Sequence, residues 1–327
     1  MPAAGAWSLA LAVVGAWWGL GGAGFPFGRN DPRAAEVGSF FGAVEPAAMG
    51  FGLAVVGLLG AGMSALLVRD GPERWARVAL PFAWAFSGFL LVVVPDIRVV
   101  QNFAYLFFGY TGLWDGALLF MLFCMVGGWL WAATAVASHR RIRRACPGCG
   151  RRSSAGPAAG EPRWGRWATA AAVSFALPYP IVRIAWALGI PLGIPADALD
   201  DLDPGLRMGA VLLGGLALGG AVLTLGLNRR WGEVFPRWLP VVGGSRVPVW
   251  LAVVPATWAA LVLSQAGLRI LLWSVSGEAG ISAANWGVGA PGLFWLPWGL
   301  ALGAATFAYR QRREGPCRVC GGSARRG

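Results

Sequence analysis

Residues 115–150 read DGALLFMLFCMVGGWLWAATAVASHRRIRRACPGCG. A carboxylate is followed by a long apolar run. Then come His139-Arg140-Arg141-Ile142-Arg143-Arg144 and the knuckle Cys146-Pro-Gly-Cys149-Gly150. About 20 mostly apolar residues suffice to cross roughly 30 Å of hydrocarbon. Residues 115–138 are therefore expected to form a transmembrane helix, with the arginine-rich end on the cytoplasmic side. The same reading applies outward to runs near 5–24, 48–68, 78–95, 167–193, 208–227, 248–270 and 291–309, making eight spans. The first has no basic n-region and runs into Trp17-Trp18 instead of a small-residue cleavage site, so it is expected to be retained and not removed as a signal.

Composition agrees. The 327 residues are 57% hydrophobic and only 13% charged, with mean hydropathy +0.59; soluble domains carry about a quarter charged residues. Every basic residue is arginine, which excludes a P-loop, a lysine Schiff base and a retinal linkage. His139 is the single histidine, which excludes bis-histidine haem and HExxH zinc catalysis. No nucleophile–base pair can be named, so the expectation is a protein that is not an enzyme. The fold class expected is all-α: a polytopic integral membrane protein of about eight helices.

Orientation follows from the arginines. With eight spans both termini share one side. Assigning that side to the cytoplasm places every arginine there except Arg29, Arg33, Arg98, Arg183, Arg207 and Arg269, against only Asp70, Glu73, Glu161, Glu233 and Glu314. The net charge of +12 is then explained by topology and anionic lipid headgroups, with no nucleic-acid role.

The opening stretch has a second copy. Residues 291–321 read PGLFWLPWGLALGAATFAYRQRREGPCRVCG. Ala133-Thr134 recurs as Ala305-Thr306, and Cys146-x-x-Cys149-Gly150 as Cys317-x-x-Cys320-Gly321. Earlier, Trp18-Gly-Leu-Gly-Gly-Ala-Gly-Phe-Pro26 recurs as Trp186-Ala-Leu-Gly-Ile-Pro-Leu-Gly-Ile-Pro195, and Arg74-Trp75 with Arg77-Val78 as Arg237-Trp238 with Arg246-Val247. Ordered landmarks at a near-constant offset point to two parallel four-helix repeats; chance matching in Trp/Gly/Leu-rich sequence is the alternative. The organisation expected is a first four-span repeat over 1–138 and an arginine-rich cytoplasmic linker over 139–166. A second repeat over 167–309 and a cytoplasmic tail over 310–327 follow. Gly57, Gly60, Gly62, Gly214, Gly215, Gly219 and Gly220 are expected to let helices approach closely, and the 19 Trp to form interfacial belts.

Two Cys-x-x-Cys turns at equivalent cytoplasmic ends supply four thiolates, the ligand set of a tetrahedral zinc. A reducing cytoplasm favours metal over disulfide. Cys146, Cys149, Cys317 and Cys320 are thus candidate ligands of one structural zinc stapling the repeats, or the linker and tail. A thiol–disulfide redox pair, a tetrathiolate iron site and uncoordinated cysteines remain open. His139 reads as a solvated side chain and Cys124 as a buried small apolar residue.

In the fifth span, Leu177-Pro-Tyr-Pro180 precedes Arg183 and Trp186. The prolines are expected to break the helix around 174–179. An intramembrane arginine is a functional candidate by default, so Arg183, with Tyr179 and Trp186, is a candidate anion-binding site. Pairing with Asp96 or Asp115, or snorkelling outward, is the other reading, whereas Arg98 and Arg269 are expected to be interfacial. Residues 97–113 suit an outer interfacial helix or a re-entrant segment, and Asp197–Asp203 a solvated loop.

The Trp-x-Leu-Gly-Gly…Gly-Phe-Pro-Phe-Gly pattern, with Trp186-Ala-Leu-Gly-Ile-Pro-Leu-Gly, resembles uncharacterised multi-span membrane proteins of high-GC Gram-positive bacteria. The resemblance covers the chain loosely and implies an integral membrane protein without known activity. It suits a bacterial plasma membrane location. Two functions are compatible. One is non-enzymatic transport or binding of a lipid or small anionic molecule between the repeats. The other is a membrane scaffold or accessory subunit whose zinc-stapled cytoplasmic face docks a partner protein.

Overall fold

The computed structural model describes residues 2–68, 73–150, 163–201, 204–238, 240–277, 279–313, 317 and 319–320. The linker stretch 153–160, Arg69, Asp70, Asp203, Arg318 and the last residues of the tail lie outside the described residues. Among those described, every regular element is helical apart from one isolated antiparallel bridge between Val234 and Arg246. The chain divides into two compact units, Met1–Pro157 with Pro316–Ser323, and Ala158–Gly315 with Ala324–Gly327.

The first unit contains α1 (Pro2–Gly19), α2 (Pro46–Val68) and α3 (Glu73–Gly88), the last continued by a π-helical segment, Phe89–Val93. A short α4 (Ile97–Leu106) and the long α5 (Gly116–Ile142) complete it. The second contains α6 (Arg163–Ala176), α7 (Pro178–Ala187), α8 (Ala196–Asp200), α9 (Pro204–Gly226), α10 (Val249–Val275), α11 (Trp286–Gly289), a 3-10 turn over Ala290–Phe294, and α12 (Trp295–Arg313). Seven helical stretches are long and apolar enough to cross a membrane: Pro46–Val68, Arg74–Val93, Gly116–Ile142, Trp164–Ala187, Arg207–Gly226, Val249–Val275 and Trp286–Arg313. The chain is a helical membrane-type protein on that ground. The helix α1, expected as an eighth span, forms over 18 residues but is not among the seven; its glycines and tryptophans dilute its apolar character. The break expected at Pro178 and Pro180 falls at Leu177, between α6 and α7.

Helix ends are set by local chemistry. The Asp96 side chain accepts from the Arg98 amide at the start of α4, and Asp115 from the Leu118 amide at the start of α5, satisfying donors that a first turn leaves unpaired. At the end of α1, Gly21 N–H donates to the Trp18 carbonyl and Gly22 N–H to that of Trp17; at the end of α7, Gly189 donates to Trp186 and Ile190 to Ala185. Gly21 and Gly189 sit at φ 87° and 78°, the left-handed conformation such a cap requires.

Packing in the first unit rests on small residues. A Cβ on Gly57 would lie 2.6 Å from the Ala12 nitrogen, and one on Gly15 2.5 Å from that of Ala54, so α1 and α2 approach backbone to backbone. Gly62, Gly215 and Gly219, expected to serve the same purpose, face open space; their helices turn them away from any neighbour. In the second unit Gly214 packs against Arg183 and Ile184 of α7, and the closest approach uses Gly267 and Gly299, where α10 meets the start of α12. Its core is rich in alanine: Ala172, Ala176, Ala221, Ala260 and Ala305, around Trp298 and Tyr309. Gly57→Leu is expected to lose about 2–3 kcal/mol through overpacking, while Gly62→Leu is neutral. Thermal stability of the two variants in detergent checks this, and equal stability would sink the packing account.

Tryptophan use also departs from the interfacial expectation. Trp7, Trp18, Trp131, Trp186 and Trp298 are buried. The indole of Trp7 donates to the Phe123 carbonyl and that of Trp131 to Ser8 Oγ, so these rings tie helices together. Trp167, Trp238 and Trp250 are exposed, as a belt requires.

Candidate metal centre

The long helix α5 ends at Ile142 among arginines. Arg144 then takes φ 49° and Gly150 φ 74°, which turns the chain so that Cys146 and Cys149 share one side of a tight loop. The tail residues Cys317 and Cys320 belong to the same compact unit. The Cys146 and Cys317 sulfurs are 3.8 Å apart, those of Cys149 and Cys320 3.6 Å, and all four lie within 4.8 Å of one another. Zinc–sulfur bonds of about 2.3 Å in a tetrahedron place sulfurs about 3.8 Å apart, whereas a disulfide needs about 2.05 Å. All four are free thiols. The arrangement is compatible with a structural zinc, and the cluster consists of cysteines without His139.

The surroundings favour thiolate. Backbone N–H groups of Cys320 and Val319 hold the Cys317 thiol down to about 6; those of Cys149 and Gly148 lower Cys146 despite the opposing effect of desolvation. Arg140 Nη1 donates to the carbonyls of Pro147 (2.7 Å) and Gly148 (3.3 Å). Arg140 therefore braces the first knuckle and sets a positive charge beside a site that is net negative when thiolates hold a divalent ion. Composition and spacing alone do not mark Arg140 for this role. Its signal is an arginine in the last turn of a long helix, close enough in sequence to reach the loop that follows. Cys124 is buried in α5, apart from the cluster.

The other candidate residues also come together. Arg183 stacks on both Tyr179 (4.9 Å to the ring centre) and Trp186 (4.4 Å). Tyr179 in turn packs on Trp295, and the Trp186 indole donates to the Leu192 carbonyl. Asp96 and Asp115, proposed above as partners of Arg183, are instead engaged by Arg98.

Arg98 is fully buried and Arg269 is buried, so both side chains lie inside the protein and not on its surface. Arg98 donates through Nε and Nη2 to Asp96 (3.0 and 2.6 Å) and through Nη1 and Nη2 to Asp31 (3.0 and 2.8 Å). Asp115 lies 3.4 Å from Nη1. Burial alone would lower the Arg98 pKa, but Asp96 and then Asp31 outweigh it and hold it above the ordinary guanidinium range. The amphipathic α4 carries this residue inward while Leu106, Phe107 and Tyr110 stay exposed. Spacing could suggest the local Asp96–Arg98 contact, but nothing local marks Asp31, 67 residues away.

Fold and site define a class, an all-helical membrane-type protein with a four-cysteine cluster fit for a metal. Comparison with known proteins finds no matching family, curated protein or solved structure.

Proposed function

We propose that the chain is a membrane scaffold or accessory subunit built from two copies of a four-span unit, with α1 as the eighth span. In this reading both termini are cytoplasmic, the membrane is a bacterial plasma membrane, and one structural zinc orders the cysteine knuckles as a docking point for a partner protein. The observation that carries it is the convergence of four sulfurs at zinc–thiolate spacing. Four protein ligands leave no position for water or substrate, so the metal organises structure and does no chemistry. Val319, between two ligands, is 66% exposed and presents an apolar side chain at the knuckle surface.

Equivalent features inside each unit support the duplication. The same glycine cap ends α1 and α7. Arg141 on α5 donates to the Leu67 carbonyl at the end of α2, and Arg312 on α12 to the Leu227 carbonyl at the end of α9. These arginines are 171 apart in sequence, as are Arg98 and Arg269 and both pairs of facing cysteines. The spans α3 and α10 each carry an internal Pro-x-x-Trp, at Pro81 and Pro255. In both units the first long helix packs on the second and the fourth, and the third on the fourth.

A photo-crosslinking residue in place of Val319 tests the docking role in cells. One discrete adduct, lost when Cys146 and Cys149 become serine, is expected; an adduct indifferent to the cysteines would remove the zinc-ordered surface. A second reading, binding or transport of a lipid or small anion, is favoured by Arg183, which lies between two aromatic rings with no carboxylate partner among the described residues. Arg183→Ala separates the two: it abolishes protection by ligand under the second reading and leaves the Val319 adduct intact under the first.

A further inference from the structure

Within the second unit, the start of α6 and the chain leaving α9 enclose an open cleft of about 470 Å³, lined by Arg166, Thr169, Ala170, Leu225, Asn228 and Arg229. We propose that this cleft binds the phosphate of an anionic phospholipid headgroup. The site is separate in sequence from the cysteine knuckles and owes nothing to a metal.

Charge is the first argument. Two guanidinium groups line the cleft, and among the described residues neither Arg166 nor Arg229 has a carboxylate partner. The carboxylate nearby, Glu233, is taken by Arg312 at 3.1 Å and Arg313 at 3.9 Å. Asn228 Oδ1 accepts from Arg312 Nη1 at 3.4 Å, which leaves the Asn228 amide N–H groups as donors. The Thr169 hydroxyl donates to the Gly165 carbonyl, so it keeps acceptor capacity only and serves as wall. Planar guanidinium donors beside an amide donor match a phosphate group, which accepts several charge-assisted hydrogen bonds. A cation would meet only repulsion here.

Depth is the second argument. Arg166 lies two residues inside the span Trp164–Ala187, and Arg229 three residues beyond the span Arg207–Gly226, so both sit at a span end. Trp164, Trp167 and Trp231, all exposed, surround that level as interfacial anchors. Ala170 and Leu225 supply the apolar wall on the membrane side. A lipid phosphate at this level keeps its acyl chains beside the exposed Val222 and Leu223. A soluble phosphate would gain the arginines and the Asn228 amide but no acyl-chain contact.

The experiment uses the full chain, delipidated in a neutral detergent, with bound lipid counted by native mass spectrometry. Dioleoyl phosphatidylglycerol is expected to be retained in preference to dioleoyl phosphatidylcholine. Arg166→Gln with Arg229→Gln should weaken phosphatidylglycerol binding about 30-fold, the loss of two basic contacts at an anionic surface. Arg166→Lys with Arg229→Lys retains most of it and controls for folding. Equal retention of the two lipids, or unchanged phosphatidylglycerol binding by the glutamine variant, overturns the proposal. Inorganic phosphate alone is the last arm. If it binds the wild type and displaces phosphatidylglycerol at equal concentration, the ligand is a soluble phosphate and the lipid assignment falls.

Discussion

Replacing Cys146 and Cys317 together by serine is expected to take the purified protein from about one zinc per chain to none. Two remaining thiolates cannot complete the tetrahedron, and the apparent binding free energy of a structural tetrahedral zinc, about 10–16 kcal/mol in small domains, depends on the full set. The metal would join points 171 residues apart. Closing so long a loop is worth about 5 kcal/mol by the chain-entropy argument used for disulfides. The spans are held by lipid and by their own packing, so the loss is local. The tail around residues 317–320 becomes accessible to protease and exchanges its amide protons rapidly, while the helical content stays unchanged. Elemental mass spectrometry on protein purified without chelator reads the first effect and hydrogen exchange the second. A wild type without metal, or a variant that keeps it, sinks the zinc centre; a protein loaded with iron replaces zinc by iron at the same four sulfurs. Arg140→Ala, which removes the brace on Pro147 and Gly148, should weaken metal retention by about 10-fold, in keeping with outer-shell partners elsewhere.

Arg98→Met is expected to be the most damaging single substitution in the first unit. Asp31 and Asp96 are buried with Arg98 between them, and removing one partner of such a set leaves uncompensated charge, at a cost of about 3–5 kcal/mol. That approaches the whole stability of many domains, so little folded protein should survive heating. Arg98→Lys should not rescue it, because an ammonium cannot serve both carboxylates with the paired donors that a planar guanidinium offers. The triple variant Arg98→Met, Asp31→Leu, Asp96→Asn should recover much of the loss, since apolar replacement of a buried ion set is often tolerated. Fluorescence-detected size exclusion after a heating series compares the variants. If Arg98→Met elutes and melts like wild type, the network contributes nothing and its burial has another reason.

Much of the membrane-type fold is visible in one dimension, because a bilayer imposes a local rule. A run such as 116–138 must bury its backbone polar groups in its own helix, whatever its neighbours do, and length with composition suffices to recognise it. The first helix shows the limit of that rule. Residues 2–19 fold as a helix, yet glycine and tryptophan leave it outside the seven apolar stretches, and its closeness to α2 is decided by Gly15 and Gly57 meeting backbone across the interface. Which glycine faces a neighbour depends on helix rotation, so Gly57 and Gly62, five residues apart on one span, end on different faces.

The four-cysteine candidate ligand set was legible for a similar reason. Two Cys-x-x-Cys turns at span ends contain their own geometry, and the tertiary structure added only that all four sulfurs meet, with Arg140 bracing one turn. Arg183 with Tyr179 and Trp186 was likewise within reach, because the three residues lie on successive turns of one helix. The pairing of Arg98 with Asp31 was not. A buried charge set is assembled from distant segments, and its energy depends on the exclusion of water from all members at once. By itself, then, the sequence determined what each segment does in lipid and which short turns carry thiols, since those depend on neighbours along the chain. Only the tertiary structure decided which glycines touch, which tryptophans are core and where Arg98 finds its carboxylates, because each of these rests on the mutual desolvation of parts far apart in sequence.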